Sequence, residues 1–332
     1  MKNNRFRLTR FAVFVIIFGG LVVAGSFILK GSFSSLSTAN IAEALPLQVV
    51  QKDEFKKESE SREIEILFVG DMNFDRYIRW LTNRGGSDFI FSCIDPILKE
   101  VDFVVGNLEG PITENASVSI GSAIGSPENY RFTFATSTAE TLARHNIKVV
   151  NIGNNHIGDF GLSGIESTRK YLGNAGVGYF GGKDNNSSIY RMSQQGINLS
   201  FVSYNQFGGE SVEKVLKSIN EEHLAGNRVI VYTHWGEEYV EATKHEKDTA
   251  ALFVKSGADI VIGSHPHVVQ SFDRIENVPV YYSLGNFIFD QYFDEAVRSG
   301  LAVRVRISKE GLLSEEIPLY INKDGTTCKV EE

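Results

Sequence analysis

Cysteine is nearly absent. Cys93 and Cys328 are the two in 332 residues, too few for a disulfide framework and without the C-x-x-C spacing of a zinc knuckle. Proline numbers seven, and the 31 glycines keep no three-residue period, so the chain is not collagen-like. Positive charge is scarce beyond the first 30 residues. Lys2, Arg5, Arg7, Arg10 and Lys30 stand there without an acid, leaving 28 basic against 41 acidic residues in the rest of a chain of net charge −8. Such a body lacks the footprint of a nucleic-acid binder, and no nucleic-acid partner is expected. An anionic substrate would need local help, most directly from bound metal. Long apolar runs are missing save one, which excludes a multi-span membrane protein. No internal repeat points to a solenoid. What is present, 42% hydrophobic and 22% charged residues, is the composition of a globular protein of one large domain with attachments, or of two modest ones.

The single apolar run is residues 11–29, FAVFVIIFGGLVVAGSFIL, without a charge. As a helix it would span about 28 Å, close to the hydrocarbon core of a bilayer. Four basic residues precede it, so residues 1–10 are expected as a cytoplasmic tail and everything past Lys30 outside the cell membrane. A cleaved signal peptide is the rival reading, but Ala42-Glu43-Ala44 lies far past the run for a cleavage site. A retained single-pass anchor is expected, with 30–62 as a flexible linker of small, polar and mixed-charge residues. Residues 323–332 read as a polar tail, with Cys328 disordered or exposed and Cys93 small and buried.

Between 63 and 322 short β-rich runs alternate with helix-like stretches, which makes the class α/β. The runs are 64–69, 103–105, 149–152, 199–204, 229–232, 260–262, 280–283 and 301–307, and the helices 137–145, 162–175, 212–222 and 246–256. Early runs are continuous, as in strands buried on both faces. Residues 301–307, LAVRVRI, alternate and are expected at an edge or on a half-exposed face.

Polar clusters begin where these strands end. They are Gly70-Asp71-Met72-Asn73, Gly106-Asn107-Leu108-Glu109, Gly153-Asn154-Asn155-His156, Thr233-His234-Trp235-Gly236 and Gly263-Ser264-His265-Pro266-His267. In open α/β sheets, sites collect beyond the carboxyl ends of strands. Converging there, five clusters would supply carboxylates, an amide and four of the seven imidazoles. That donor set suits one or two divalent ions, Zn, Mn or Fe, and the lack of thiolates argues against a structural zinc. Paired metals clamp the attacking and leaving oxygens of a displacement at phosphorus. The glycines ahead of the ligands are expected to turn the backbone sharply. One such cluster alone would read as ordinary loop-capping Asp and Asn. Five in register read as a metal site.

Several residues carry two readings. Arg76 could bind an anionic oxygen of a substrate, with Asn73 beside it, or pair with a local acid such as Asp75. Asp159 could orient His156 or cap the helix that follows. Asn286 could support the site or satisfy a turn. His145, His223 and His245 read as surface residues.

The blocks GDMNFDR (70–76), NLEGPIT (107–113), NNHIGDFG (154–161), HWG (234–236), GSHPHVVQ (263–270) and SLGNFIFD (283–290) resemble, in the same order, those of CapA-type capsule-synthesis proteins, named for poly-γ-glutamate capsules and similar to calcineurin-like metallophosphoesterases. The resemblance implies a four-layer α/β/β/α sandwich of the metallophosphoesterase type, behind the N-terminal transmembrane helix. It implies Asp71 as a first-site ligand, Glu109 as the bridge between metals, Asn155 and His234 at the second metal, and His265 and His267 divided between them. His156 would be the uncoordinated imidazole that contacts the leaving group. Two departures stand out: the phosphoesterase D-x-H is Asp71-Met72-Asn73 here, and the bridge is Glu109 rather than Asp.

The leading expectation is a membrane-tethered extracytoplasmic protein that assists synthesis, export or attachment of an anionic polymer, beside polymer synthase or export subunits, with a metal-dependent hydrolase or transferase centre. A phosphodiesterase or phosphatase unrelated to capsules and a metal-stabilised scaffold of an export complex are the alternatives. Protease added to intact cells, with any outer layer permeabilised, should degrade the body while the anchor stays in the membrane. A mature N-terminus at Ile41 or Leu45 would show a cleaved signal instead.

Overall fold

The computed structural model describes residues 63–182, 188–208 and 211–331; the expected anchor and linker lie outside the described residues. Among the described residues no helix is long and apolar enough to cross a membrane.

The early apolar runs become parallel neighbours: β1 (Ile64–Met72), β2 (Phe103–Leu108), β3 (Ile147–Asn151) and β4 (Gly178–Phe180). Between them lie α1 (Arg76–Gly85), α2 (Asp95–Glu100), α3 (Thr138–Arg144) and α4 (Gly161–Asn174). A second sheet follows, of β5 (Ile189–Gln194), β6 (Ile197–Asn205), β7 (Arg228–His234), β8 (Ile260–Ser264), β9 (Phe272–Ile275) and β10 (Val278–Tyr281). Its crossovers are α5 (Val212–Leu224) and α6 (Lys244–Lys255), the latter opened by a capping box between Thr243 and Glu246. The chain then returns to the first sheet through β11 (Asn286–Ile288), α7 (Glu295–Arg298), β12 (Ser299–Ile307), β13 (Leu312–Ile321) and β14 (Thr327–Lys329). The orders are β14-β13-β12-β1-β2-β3-β4, with β11 also on β1, and β5-β6-β7-β8-β10-β9. Mixed sheets and intervening helices make this an α/β fold.

Alternation along β1 assigns its side chains to different cores. Ile64, Ile66 and Phe68 join Phe201, Tyr232 and Ile262 of the second sheet in one apolar cluster. Leu67 and Val69 turn the other way, toward Leu98, Leu142 and Ile165 of the helices. A third cluster sets Val231 and Val261 against Ile219 of α5 and Phe253 of α6.

The alternating run 301–307 takes the second of its two expected places, a half-exposed face: β12 lies between β1 and β13, with Leu301, Val303, Val305 and Ile307 in the inter-sheet cluster, Arg306 exposed and Arg304 paired with Glu100 at 2.8 Å. Two expectations are corrected. His145 is buried, stacked on Phe91, with Nδ1 2.6 Å from Asp95 and Nε2 3.1 Å from Asp88, whereas His223 and His245 are exposed as expected. The segment read as a polar tail carries β14, and its Cys328 is disulfide-bonded to the distant Cys93, with 5.1 Å between Cα atoms.

Two stability tests follow from these contacts. Cys93→Ser with Cys328→Ser should cost about 2–4 kcal/mol, and reductant should lower the melting temperature of the unaltered protein likewise; a melt insensitive to both would exclude the bond. Glu222 of α5 accepts from Arg191, Ser200 and Asn227, and the Arg191 hydrogen bond leads in holding its carboxyl at about 2, against an ordinary 4.5. A depressed folded value means that the stabilisation is complete above pH 4.5 and is lost as pH falls toward 2. Glu222→Gln should therefore melt well below the unaltered protein at pH 7 and converge with it near pH 2.

Candidate metal centre

The carboxyl ends of β1, β2 and β3 face those of β7 and β8. Asp71, near the end of β1, is fully buried; Oδ1 accepts from Asn107 Nδ2 at 2.8 Å and Oδ2 from the backbone N–H of His265 at 3.0 Å. Asn107 lies 3.3 Å from His234 Nδ1, and its own Oδ1 accepts from Asn151 and Asn154 at 3.1 and 3.2 Å. One buried amide thus joins strand ends of both sheets.

Hydrogen bonds fix how the imidazoles face inward. Ser264 Oγ donates to Thr233 O at 2.8 Å and lies 3.1 Å from His234 Nδ1, while His234 Nε2 is in hydrogen-bond contact with Asn155 Oδ1 at 3.0 Å. His267 Nδ1 donates to Asn286 Oδ1 at 2.9 Å, leaving Nε2 3.7 Å from Glu109 Oε1. His265 Nδ1 is buried without a partner. Burial, reinforced by the neighbouring imidazoles, holds His234 well below the usual histidine range; burial, then His267, takes His265 down to about 4. Neutral imidazoles are the form that binds metal.

Glu109 tests whether these residues fit a cation. Both of its oxygens are buried and have no hydrogen-bond partner within the protein. Burial, then the charges of Asp71 and Glu238, pushes its carboxyl well above the usual range. An unpartnered buried carboxylate is costly, and a divalent ion relieves that cost. Ligand atoms of Glu109, His265 and His267 lie within 4.8 Å of one another, so the three form a candidate metal-binding triad. Asp71, His234 and Asn155, the other residues expected as ligands, adjoin it through the contacts above, with His234 Nε2 4.0 Å from Glu109 Oε1.

His156 stands beside this group. Its Nδ1 is 2.9 Å from Asp159 Oδ2, and its ring packs on Phe132 with centroids 4.3 Å apart. Asp159 does not cap α4, whose N-cap is Phe160; its Oδ2 instead accepts from the Phe132 N–H at 2.8 Å. Asn286 does more than satisfy a turn, holding His267 and donating to Val297 O at 2.9 Å. Asn73 Oδ1 accepts from Asp75 N at 2.8 Å, while its Nδ2 is buried without a partner. Arg76 pairs with an acid, but with Asp290 rather than Asp75, and its guanidinium lies over the Phe132 and Phe289 rings at 5.1 and 5.2 Å.

The expected glycine turns are corrected too. Gly70 and Gly263 lack positive φ and are needed for close approach, since a Cβ would stand 1.9 Å from Gly285 O and 1.8 Å from Tyr282 O. Positive φ falls on the candidate ligands themselves, His265 at 100° and His267 at 58°. The sequence alone assigns no individual role to Asn107, Asn154, Ser264 or Asp290. The available signal was an amide inside the apolar run of β2, where a buried polar group must find partners.

The family model for the bacterial capsule synthesis protein PGA_cap matches residues 65–291. The chain is 30% identical over 290 residues to the capsule biosynthesis protein CapA of Bacillus anthracis, covering 80% of this chain and 70% of that one. It is 28% identical over 291 residues to the PGA biosynthesis protein CapA of Bacillus subtilis (strain 168), covering 79% and 75%.

His234→Ala together with His265→Ala should abolish stoichiometric metal and lower the melting temperature, because an ion bound to the native state stabilises it. Metal affinity should fall as pH is lowered, since protons compete at the raised Glu109 carboxyl. Elemental analysis of the purified protein and of the double variant checks both, and equal metal in the two would remove the site.

Proposed function

The chain belongs to the bacterial capsule synthesis protein family, and from that premise we propose that it takes part in synthesis, export or anchoring of an anionic capsule polymer of the poly-γ-glutamate type, through a metal-dependent hydrolase or transferase centre. Glu109 carries the reading: a buried carboxylate without a hydrogen-bond partner, facing imidazole nitrogens, is chemistry that a cation completes. Two sheets sharing one apolar cluster, with helices packed on the outer clusters, support a four-layer sandwich of the metallophosphoesterase type. The Cys93–Cys328 bond supports an extracytoplasmic body, because disulfides persist in oxidising compartments. Residues 11–29 would anchor that body to the membrane beside polymer synthase or export subunits.

Glu109, His265 and His267 would hold one Zn, Mn or Fe ion, with Asp71 beside them, and Asn155 and His234 would serve a second. Bound metal would polarise the scissile linkage, phosphoryl or amide, and ease deprotonation of water. His156, its Nδ1 directed by Asp159, would protonate the leaving group from Nε2. Arg76 shares its charge with Asp290 through Nη2, and the N–H groups that Asp290 does not take would donate to a substrate oxygen. A metal-stabilised scaffold is the second reading. Asn73 favours it, because the phosphoesterase imidazole is replaced by an amide whose oxygen is already taken by Asp75 N.

His156→Ala should leave metal content nearly intact and reduce polymer processing in membranes by roughly 10²–10⁴-fold. Loss of metal would make His156 a ligand. Metal and polymer assembly both surviving would favour the scaffold.

A further inference from the structure

A cleft of about 870 Å³ opens beside the metal centre, within the size range of ligand pockets. It is joined to the centre on two sides. On one, the Tyr239 ring lies 6.0 Å from that of His267, and Gln291 accepts from Asn286 at 3.1 Å while donating to the Tyr239 hydroxyl at 3.0 Å. On the other, Arg76 lines the cleft and rests on Phe132, the ring that packs against His156.

The wall is aromatic and uncharged for most of its extent. Tyr77 and Trp80, one turn apart on α1, stack with centroids 5.3 Å apart and planes 14° apart, both more than a third exposed, and the Arg84 guanidinium lies over the Trp80 ring at 4.7 Å. Tyr292 meets Tyr77 edge-on and Phe293 meets Tyr239 edge-on. Of the lining cations, Arg76 is paired with the lining acid Asp290, and Lys323 is the other among the described residues. Neutral donors and acceptors, Asn129, Gln291 and Ser122 among them, complete the lining.

This chemistry selects among occupants. A polyanion would meet little uncompensated positive charge. A hydrocarbon chain would strip water from tyrosine hydroxyls and amides without replacing their hydrogen bonds, at a cost of about 1–3 kcal/mol for each group. A chain of pyranose rings presents flat C–H faces to the stacked aromatics and hydroxyls to the amides. We propose that the cleft beside the metal centre is a saccharide-binding subsite, which holds an uncharged glycan strand with one end directed at Glu109 and the histidines. The inference rests on the proposed centre for the strand's purpose, as the acceptor or carrier of the processed polymer, but not for its binding.

The chain's two tryptophans make the test direct, since Trp235 is 1% exposed and Trp80 42% exposed, so a ligand in the cleft reports through Trp80. The β-1,4-linked tetramer of N-acetylglucosamine, added to the full-length protein in detergent, should change tryptophan fluorescence saturably with a Kd below about 1 mM. By calorimetry, Trp80→Ala and Tyr77→Ala should each weaken binding about tenfold or more, with melting temperature and metal content unchanged. No binding at about 10 mM tetramer, or equal binding by the Trp80→Ala protein, would overturn the proposal. So would displacement of the tetramer by poly-γ-glutamate or by polyprenyl-phosphate vesicles. Metal is measured in the same samples: tetramer bound without metal sinks the metal centre alone, and metal held without tetramer sinks the subsite alone.

Discussion

The Asn107 amide sits where the two sheets meet, and the candidate centre depends on how its hydrogen bonds are shared. It donates to Asp71, touches His234 and accepts from Asn151 and Asn154. Ser203 of β6 donates to Asn151 from the other sheet, at 2.8 Å. Asn154 Oδ1 in turn takes the backbone N–H groups of His156 and Ile157, which fixes the turn presenting Asn155 and His156. Buried polar networks of this kind are stabilising when every member is partnered and costly when one is not. The apolar cores bring the sheets together, but the amides set which atoms face one another.

Much of this arrangement was legible because the strands are apolar runs that stop at polar clusters. Each of the five clusters has its strand, and Asp71, Glu109, Asn155, His234, His265 and His267 are neighbours. What stayed hidden depended on long-range partners. β13 has little apolar pattern of its own, and its place is fixed by register against β12, where Glu315 lies opposite Arg304. Asp290 comes to Arg76 from 214 residues away, so the nearer Asp75 was the natural guess. Asp159 has the right type and spacing for a cap, and a tertiary demand, the Phe132 N–H and the His156 ring, took it instead.

The centre breaks local rules that the rest of the chain obeys. Two histidines take the left-handed region, at a cost of about 1–3 kcal/mol for a strained residue, and a carboxylate is buried unsatisfied. Surrounding rigidity sustains this: Phe207 and Phe289 lean on His265 and His267 with centroids 4.4 and 4.8 Å apart, and the strands beneath are fully buried. Such concentration of strain and unmet polarity is what separates a site from a core.

The strand order has a consequence for how the chain assembles. The second sheet is contiguous, drawn from Ile189 to Tyr281, whereas β1, the first described strand, finds its antiparallel neighbour only at Ser299–Ile307. A chain delivered N-terminus first must therefore keep one edge of β1 open while some two hundred residues follow. Contacts of such separation close slowly, and an open edge invites pairing with another chain. Whatever receives this chain as it emerges has most to gain by shielding that one edge until β12 arrives.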